Sequence, residues 1–240
     1  MRSLARARAL AATALTACES SQEKSAKLEK VIKREARETA RQQALARQSL
    51  SIARPSAVVK VTEAKLVHGS EGAVVAVVLH NTSGSALRKL PIRVTVKGAG
   101  GATVYTNETT GLSPTLVSVP LLRAHATSTW IDDQVQTSAT PSSVSAEVGE
   151  GERITGAPPE LTIAGARLAA GTTEGSVTNN SQESQHELVV DAVARRGGTI
   201  VAAGRAVIPQ VEAGATEHFQ AFLIGDSAGA TLEVSVGGAA

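Results

Sequence analysis

The sequence is poor in the residue types that build most metal, redox and stacking sites. Its 240 residues include one Cys, one Met, one Trp, one Tyr and two Phe. One cysteine forms no internal disulfide and no thiolate cluster, one methionine argues against thioether copper binding, and so few aromatic rings leave little surface for stacking sugars or bases. No apolar run reaches the roughly 20 residues of a transmembrane helix. The net charge of +2 is no electrostatic footprint for nucleic acid.

Residues 1–17 have the pattern of a lipoprotein signal peptide. A segment with three arginines and no acid precedes a short apolar run, which ends in Leu15-Thr-Ala-Cys18. These four residues resemble the bacterial lipobox, in which the cysteine receives a diacylglycerol thioether and becomes the mature N-terminus. The resemblance implies cleavage between Ala17 and Cys18 and a lipid anchor on Cys18, which would hold the protein on the extracytoplasmic face of the cell membrane.

Two other interpretations of this segment stay open. Arg- and Ala-rich segments without acids are also typical of mitochondrial transit peptides, and a lone cysteine is often a buried structural residue. The lipobox interpretation is favoured because the sole cysteine stands where a lipobox needs it, and the polar run Glu19–Glu23 follows at once. Cleavage would remove all three arginines of the segment, so the basic excess belongs to the signal peptide.

Residues 18–54 are predicted to be the lipidated cysteine followed by a charged helical stalk. From Glu19 to Arg54 there is no glycine or proline, and strong helix formers dominate. Glu23 with Lys27 has the favourable i,i+4 spacing. The apolar positions are mostly alanines, too small for a stable coiled coil, so a solvated spacer is favoured over an oligomerisation helix.

The rest of the chain is predicted to be all-β. Short runs rich in Val, Ile and Thr alternate with Gly, Asn and Ser turn signals, and no helical periodicity intervenes. This pattern of short strands and frequent turns favours antiparallel β-sandwiches. The predicted strands are 58–62, 73–79, 92–96, 188–190, 199–201 and 231–236.

The second part of this region repeats the first. Asn81-x-Ser parallels Asn179-x-Ser at an offset of 98, and Val119–Trp130 parallels Ile208–Phe219 at an offset of 89. The repeat predicts a first domain at 55–150, a linker at 151–159 and a second domain at 160–240, here called the first half, the linker and the second half. The change of offset places about nine extra residues near 109–116 of the first half. Trp130 and Phe219 are predicted to be equivalent buried aromatic residues.

This layout resembles the tandem Ig-like β-sandwiches of bacterial envelope lipoproteins, in particular the FxLYD-type domain. The shared elements are a strand leading into Asn-x-Ser, a strand ending in a glycine turn, and the Pro-x-apolar-x-Ala-x-Ala-Thr segment before an aromatic residue. The segments 94–98 and 190–194, which correspond to the family's namesake motif, lack its Phe, Tyr and Asp. The resemblance therefore implies a fold and lends no activity.

Few residues are candidates for chemistry, and none forms a known catalytic signature. His68 and His80 lie on one predicted hairpin, where they are weak metal candidates. Asp132 and Asp133, interpreted as a turn-prone acidic pair, are candidates with His125 for a metal or hydrolytic site. Solvated loop residues are the favoured interpretation, with no cofactor, metal or catalytic residue expected.

The sequence thus predicts a non-catalytic, lipid-anchored scaffold or binding module of the bacterial cell envelope. Its partner would be a protein or a cell-wall polymer, and no nucleic acid. The alternatives are a metal-binding or hydrolytic envelope protein that uses loop residues, and a periplasmic assembly factor, which should expose a large apolar patch.

Overall fold

The structure is a computed structural model that describes residues 33, 52, 54–109, 112–137 and 140–239. The chain divides into two compact units, residues 1–42 and 43–240. In the first unit Lys33 is helical; the rest of that unit, and with it most of the predicted stalk, lies outside the described residues. The second unit carries the β structure, which confirms the all-β prediction for the described part of the chain.

The first half consists of two antiparallel sheets. One sheet has the order β1-β2-β6. In the other sheet, β3 is the central strand and pairs with β4, β5 and β7. The strands are β1 (Val59–Gly69), β2 (Gly72–Asn81), β3 (Leu87–Gly98), β4 (Thr103–Thr106), β5 (Ser118–Leu122), β6 (Thr127–Val135) and β7 (Pro141–Val148).

The second half follows the same order of strands. One sheet has the order β9-β10-β13 and the other β14-β12-β11-β15. The strands are β9 (Leu161–Ala169), β10 (Thr172–Asn179), β11 (Gln185–Arg196), β12 (Thr199–Val211), β13 (Thr216–Phe222), β14 (Ile224–Gly225) and β15 (Thr231–Ala239). The predicted strands fall within these elements except that 58–62 begins one residue before β1, and the observed strands are longer.

Equivalent positions of the two halves share their backbone details. Trp130 pairs with Val77, and Phe219 pairs with Gly175 at the equivalent register. Lys89 and Glu187, which are 98 residues apart, both have positive φ angles (50° and 47°). Trp130 is 1% exposed and Phe219 5%, so the prediction that both aromatic side chains are buried is confirmed.

The extra residues of the first half interrupt a strand that is continuous in the second half. β12 is a single strand, whereas β4 and β5 are separated by a segment that contains a 3-10 turn, Pro114–Leu116. Asn107 replaces part of the missing ladder: its Oδ1 accepts from the Val94 N–H, and its Nδ2 donates to Ile92 O and Leu116 O at 2.8–2.9 Å. A side chain thereby satisfies backbone groups that would otherwise be buried without partners.

The segment interpreted as a linker is partly a strand. Residues Glu152–Arg153 form β8, which pairs with Leu87 and Arg88 of β3. Gly151 makes this approach feasible, because a Cβ there would lie 2.6 Å from the Leu90 Cγ. The linker therefore leaves the first half along the edge of its sheet, which its Gly and Pro content alone did not predict.

Four sheets stack as successive layers with three cores between them. The first core, around Trp130, Leu79 and Ile92, lies between the sheets of the first half, and the last lies between the sheets of the second half, around Phe219 and Leu188 and around Ala192 and Leu223. The middle core joins the halves: the outer face of β1-β2-β6 packs against the outer face of the β11-β12 sheet.

Candidate functional site

The middle core is apolar at its centre. Val74, Ala76, Val78 and Ile131 of the first half pack against the second half, whose contribution is Val193, Ile200 and Ala203. Ile131 and Ala203 are fully buried. Since side chains alternate along a strand, Ile131 faces the second half while its neighbours Trp130 and Asp132 face the first-half core.

An ion pair at the rim connects the halves. Arg195 of β11 donates from Nη1 to Glu63 of β1 at 2.9 Å and from Nε to Glu233 of β15 at 3.0 Å. The Arg195 side chain is 17% exposed, so salt screens its ion pairs less than it screens a typical surface ion pair. The Ser128 hydroxyl lies 3.5 Å from that of Ser235.

A group of six polar residues, called here the polar network, lies beside the apolar centre. Its members are Tyr105, Thr115, Asp132, Asp133, Asp191 and Arg205.

Arg205 crosses from the second half to the first within the polar network. Its side chain is 6% exposed, and it donates from Nη2 to the Thr115 hydroxyl at 2.9 Å and from Nη1 to the Thr115 carbonyl at 3.3 Å. Its Nε lies 3.5 Å from Asp133 Oδ1, an ion-pair distance without hydrogen-bond geometry. The same Thr115 carbonyl accepts from the indole N–H of Trp130. The inserted segment of the first half therefore supplies the acceptor that receives the second half's arginine.

Asp132 belongs to the interior of the first half. Its carboxylate is fully buried, accepts from the Tyr105 hydroxyl at 2.6 Å and from the Gln134 N–H at 3.0 Å. Burial raises the pKa of Asp132, and the hydrogen bond from Tyr105 opposes that effect. Burial and the Asp132 charge raise the pKa of Tyr105 as well, so the phenol stays a donor to this carboxylate.

Asp191 is the acidic residue that the second half contributes to the network. It is 8% exposed on β11, and its Oδ1 has no hydrogen-bond partner among the described residues. Burial raises the pKa of Asp191 to about 8, the Arg205 charge works in the opposite direction, and the Asp133 charge adds to the rise. Burial also raises the pKa of Asp133.

The structure corrects the proposed metal candidates. Asp132 and Asp133 lie within β6 rather than in a turn, and His125 lies in a left-handed turn before that strand, about 20 Å from them at the rise of an extended strand. His68 pairs with Ala73 next to the hairpin turn, whereas His80 pairs with Lys60 at the opposite end, so the two histidines do not meet. Within the described ranges no group of three or more His, Cys, Asp or Glu side chains has the arrangement of a metal site.

Two other expectations concern different parts of the chain. Ala17 and Cys18 lie outside the described residues. Over the part of the chain that the structure describes, no helix has the length and apolar content to cross a membrane.

Sequence reasoning missed this interface, although two signals for it are present. Residues 73–79 are apolar at every position, and β2 is buried on both faces; a strand with one solvated face alternates instead, as the equivalent Thr172–Asn179 does in part. Arg93 of β3 and Asp191 of β11 occupy equivalent positions. Arg93 is paired at the surface with Glu108 and Glu147, whereas Asp191 is buried between the halves. The unlike residues of the two repeats, rather than the shared ones, mark the interface.

Comparisons with known proteins give no family. No protein-family model matches the chain, and no curated protein sequence matches it. Among solved structures, the crystal structure of red sea bream transglutaminase aligns with 75% of this chain at 12% identity and a TM-score of 0.23. The alignment spans 29% of the transglutaminase chain, and a TM-score so low carries no evidence of shared fold or activity.

Proposed function

We propose that the chain is a lipid-anchored scaffold or binding module on the extracytoplasmic face of a bacterial cell membrane. In this proposal Cys18 carries the lipid, residues 19–54 form the stalk, and two Ig-like sandwiches act as one rigid body. The observation that carries the proposal is the interface between the halves, since a buried apolar face crossed by Arg205 holds both sandwiches in one orientation. Rigid presentation suits a spacer or docking platform.

The surroundings of the acidic residues support a structural role over a catalytic one. Asp132 is bonded to Tyr105 inside a core, and Asp133 lies beside Arg205. A general acid or base must reach its substrate, whereas Asp132 is fully buried and Asp133, whose side chain is 28% exposed, is paired with Arg205. The alternative of a hydrolytic or metal site built from His125, Asp132 and Asp133 has no geometric support.

The alternative of an assembly factor calls for a large exposed apolar patch. Among the described residues the large apolar side chains that are exposed are Val207 (46%) and Phe222 (72%). Two such side chains do not build a chaperone surface. A partner of the proposed module is therefore expected to be a folded protein or a cell-wall polymer bound through polar contacts.

Membrane anchoring is tested with the full chain expressed in a bacterium. The variant Cys18→Ser should move from the membrane fraction to the soluble fraction and lose the mass increment of the lipid, because a single acyl-bearing residue provides the anchor. The control Ser20→Ala leaves the lipobox cysteine in place and should stay in the membrane fraction. Retention of Cys18→Ser at the membrane with unchanged mass would refute the anchor.

A further inference from the structure

We propose that packing of the two halves takes up one proton, which Asp191 holds inside the interface, so that acid favours the closed arrangement. Asp191 lies on the outer face of β11 between the buried residues Val189 and Val193. Its Oδ1 is enclosed without a hydrogen-bond partner among the described residues. An ionised carboxylate would leave this oxygen buried, charged and unbonded, which is costly, whereas a protonated carboxyl carries no charge there.

The groups that face Asp191 from each neighbouring element explain why it is the one to hold the proton. From β12 comes Arg205, its register neighbour, which also serves Thr115 and Asp133. From β15 comes Ser235, which is uncharged.

The first half contributes one acid to this face, Asp133 of β6, whose Oδ1 lies 3.5 Å from Arg205 Nε. Asp132 faces the first-half core instead, where it accepts from the Tyr105 hydroxyl. One cation therefore serves two carboxylates. The Asp133 side chain is 28% exposed and reaches solvent, whereas Asp191 is 8% exposed, so protonation of Asp191 removes the surplus negative charge from the interface.

The direction of the pH effect follows from the two states. In the closed interface burial raises the pKa of Asp191 to about 8, from an ordinary value of 3.8. When the halves separate, the carboxyl meets water and returns to its ordinary range. The closed state binds more protons between about pH 4 and 8, so the equilibrium constant for opening or unfolding rises up to tenfold per pH unit in that window, and the Asp191 contribution is constant outside it.

The direct test is a titration of side-chain carboxyl carbons by NMR on the full chain. The resonance that disappears in Asp191→Asn identifies Asp191. A midpoint above pH 6 for this resonance supports the proposal, and a midpoint below pH 6 overturns it. The exposed Asp226, held near Arg196, is a reference in the same spectra, since hydrogen bonds lower its pKa.

A second experiment locates the proton at the interface. Ile131→Glu places a charge on the face that meets the second half without entering the first-half core. If the interface is the cause, the Asp191 midpoint in this variant should fall towards 4. A midpoint that stays near 8 in a folded Ile131→Glu protein whose Val193 and Ala203 amide resonances show that the halves have separated would overturn the proposal.

Urea unfolding gives an independent readout and a matched control. Between pH 5 and 7 the unfolding constant of the wild type should rise about 100-fold more than that of Asp191→Asn, because over these two pH units the folded wild type binds one proton more than the unfolded chain. Asp226→Asn should keep the wild-type slope in this range. Equal slopes for wild type and Asp191→Asn would contradict proton uptake.

Discussion

At the scale of single residues, two buried asparagines define the corner of each sandwich. The Asn81 Nδ2 donates to Ser85 O and Arg123 O, and its Oδ1 accepts from the Ser83 N–H. The Asn179 Nδ2 donates to Glu183 O and Val211 O in the same way, and its Oδ1 accepts from the Ser181 N–H. The Asn-x-Ser repeat seen in the sequence is therefore a repeat of turn chemistry.

Asn81→Ala and Asn179→Ala should each lower the free energy of unfolding by about 1–3 kcal/mol, because buried carbonyls lose their donor. The exposed Asn180→Ala, which removes a surface hydrogen bond to Thr162, should cost less than about 1 kcal/mol. Chemical denaturation measures all three. A loss at Asn180 equal to that at Asn179 would contradict the assigned roles.

Phe219 and Phe222 provide a second matched pair, on one strand. Phe219 packs in the second-half core over Gly175, where a Cβ would lie 2.8 Å from the ring Cζ, whereas Phe222 is 72% exposed. Phe219→Ala should cost about 3–5 kcal/mol and Phe222→Ala less than about 0.5 kcal/mol, as thermal or urea unfolding would measure. A negligible cost for Phe219→Ala would mean that the ring does not support this core.

At the scale of elements, the inserted segment of the first half replaces strand pairing by side-chain hydrogen bonds. Asn107→Ala leaves the Val94 N–H and two carbonyls without their partner, so about 3 kcal/mol of stability should be lost. Asn107→Asp should also destabilise the fold, since a carboxylate would face the Ile92 and Leu116 carbonyl oxygens. Wild-type stability for Asn107→Asp, measured by denaturation, would show that the two carbonyls do not need the amide.

The elements also show what sequence can and cannot predict here. The strands, the two aromatic residues and the position of the insertion follow from local patterns and the repeat, because alternation and turn residues are local signals. The strand β8 does not, since Glu152 and Arg153 pair only through the close approach that Gly151 permits. The polar network is harder to predict, because Thr115, Asp191 and Arg205 are far apart in the chain. The unbroken apolar run 73–79 indicates a second buried face, but it does not show which residues meet that face.

At the scale of the whole molecule, the stack of four sheets ends at the second half in a face that is polar except for Phe222. The equivalents of the apolar residues Val74, Ala76, Val78 and Ile131 are polar in the second half, namely Thr172, Glu174, Ser176 and Gln220. A repeat array with a polar terminal face does not extend by the same contact. Residues 55–240 should therefore sediment as a monomer at micromolar concentration, and concentration-dependent growth through this face would contradict the assignment.

In the proposed module the two halves form one rigid body rather than two domains on a flexible linker. Relative motion is the default for linked domains unless their interface is large and apolar. The most direct measurement is the distance distribution between spin labels at Ser143→Cys and Glu217→Cys, both exposed, in a Cys18→Ser background. We expect one narrow distribution, which broadens in Ile131→Glu. A broad distribution in the parent, unchanged by Ile131→Glu, would contradict the rigid arrangement.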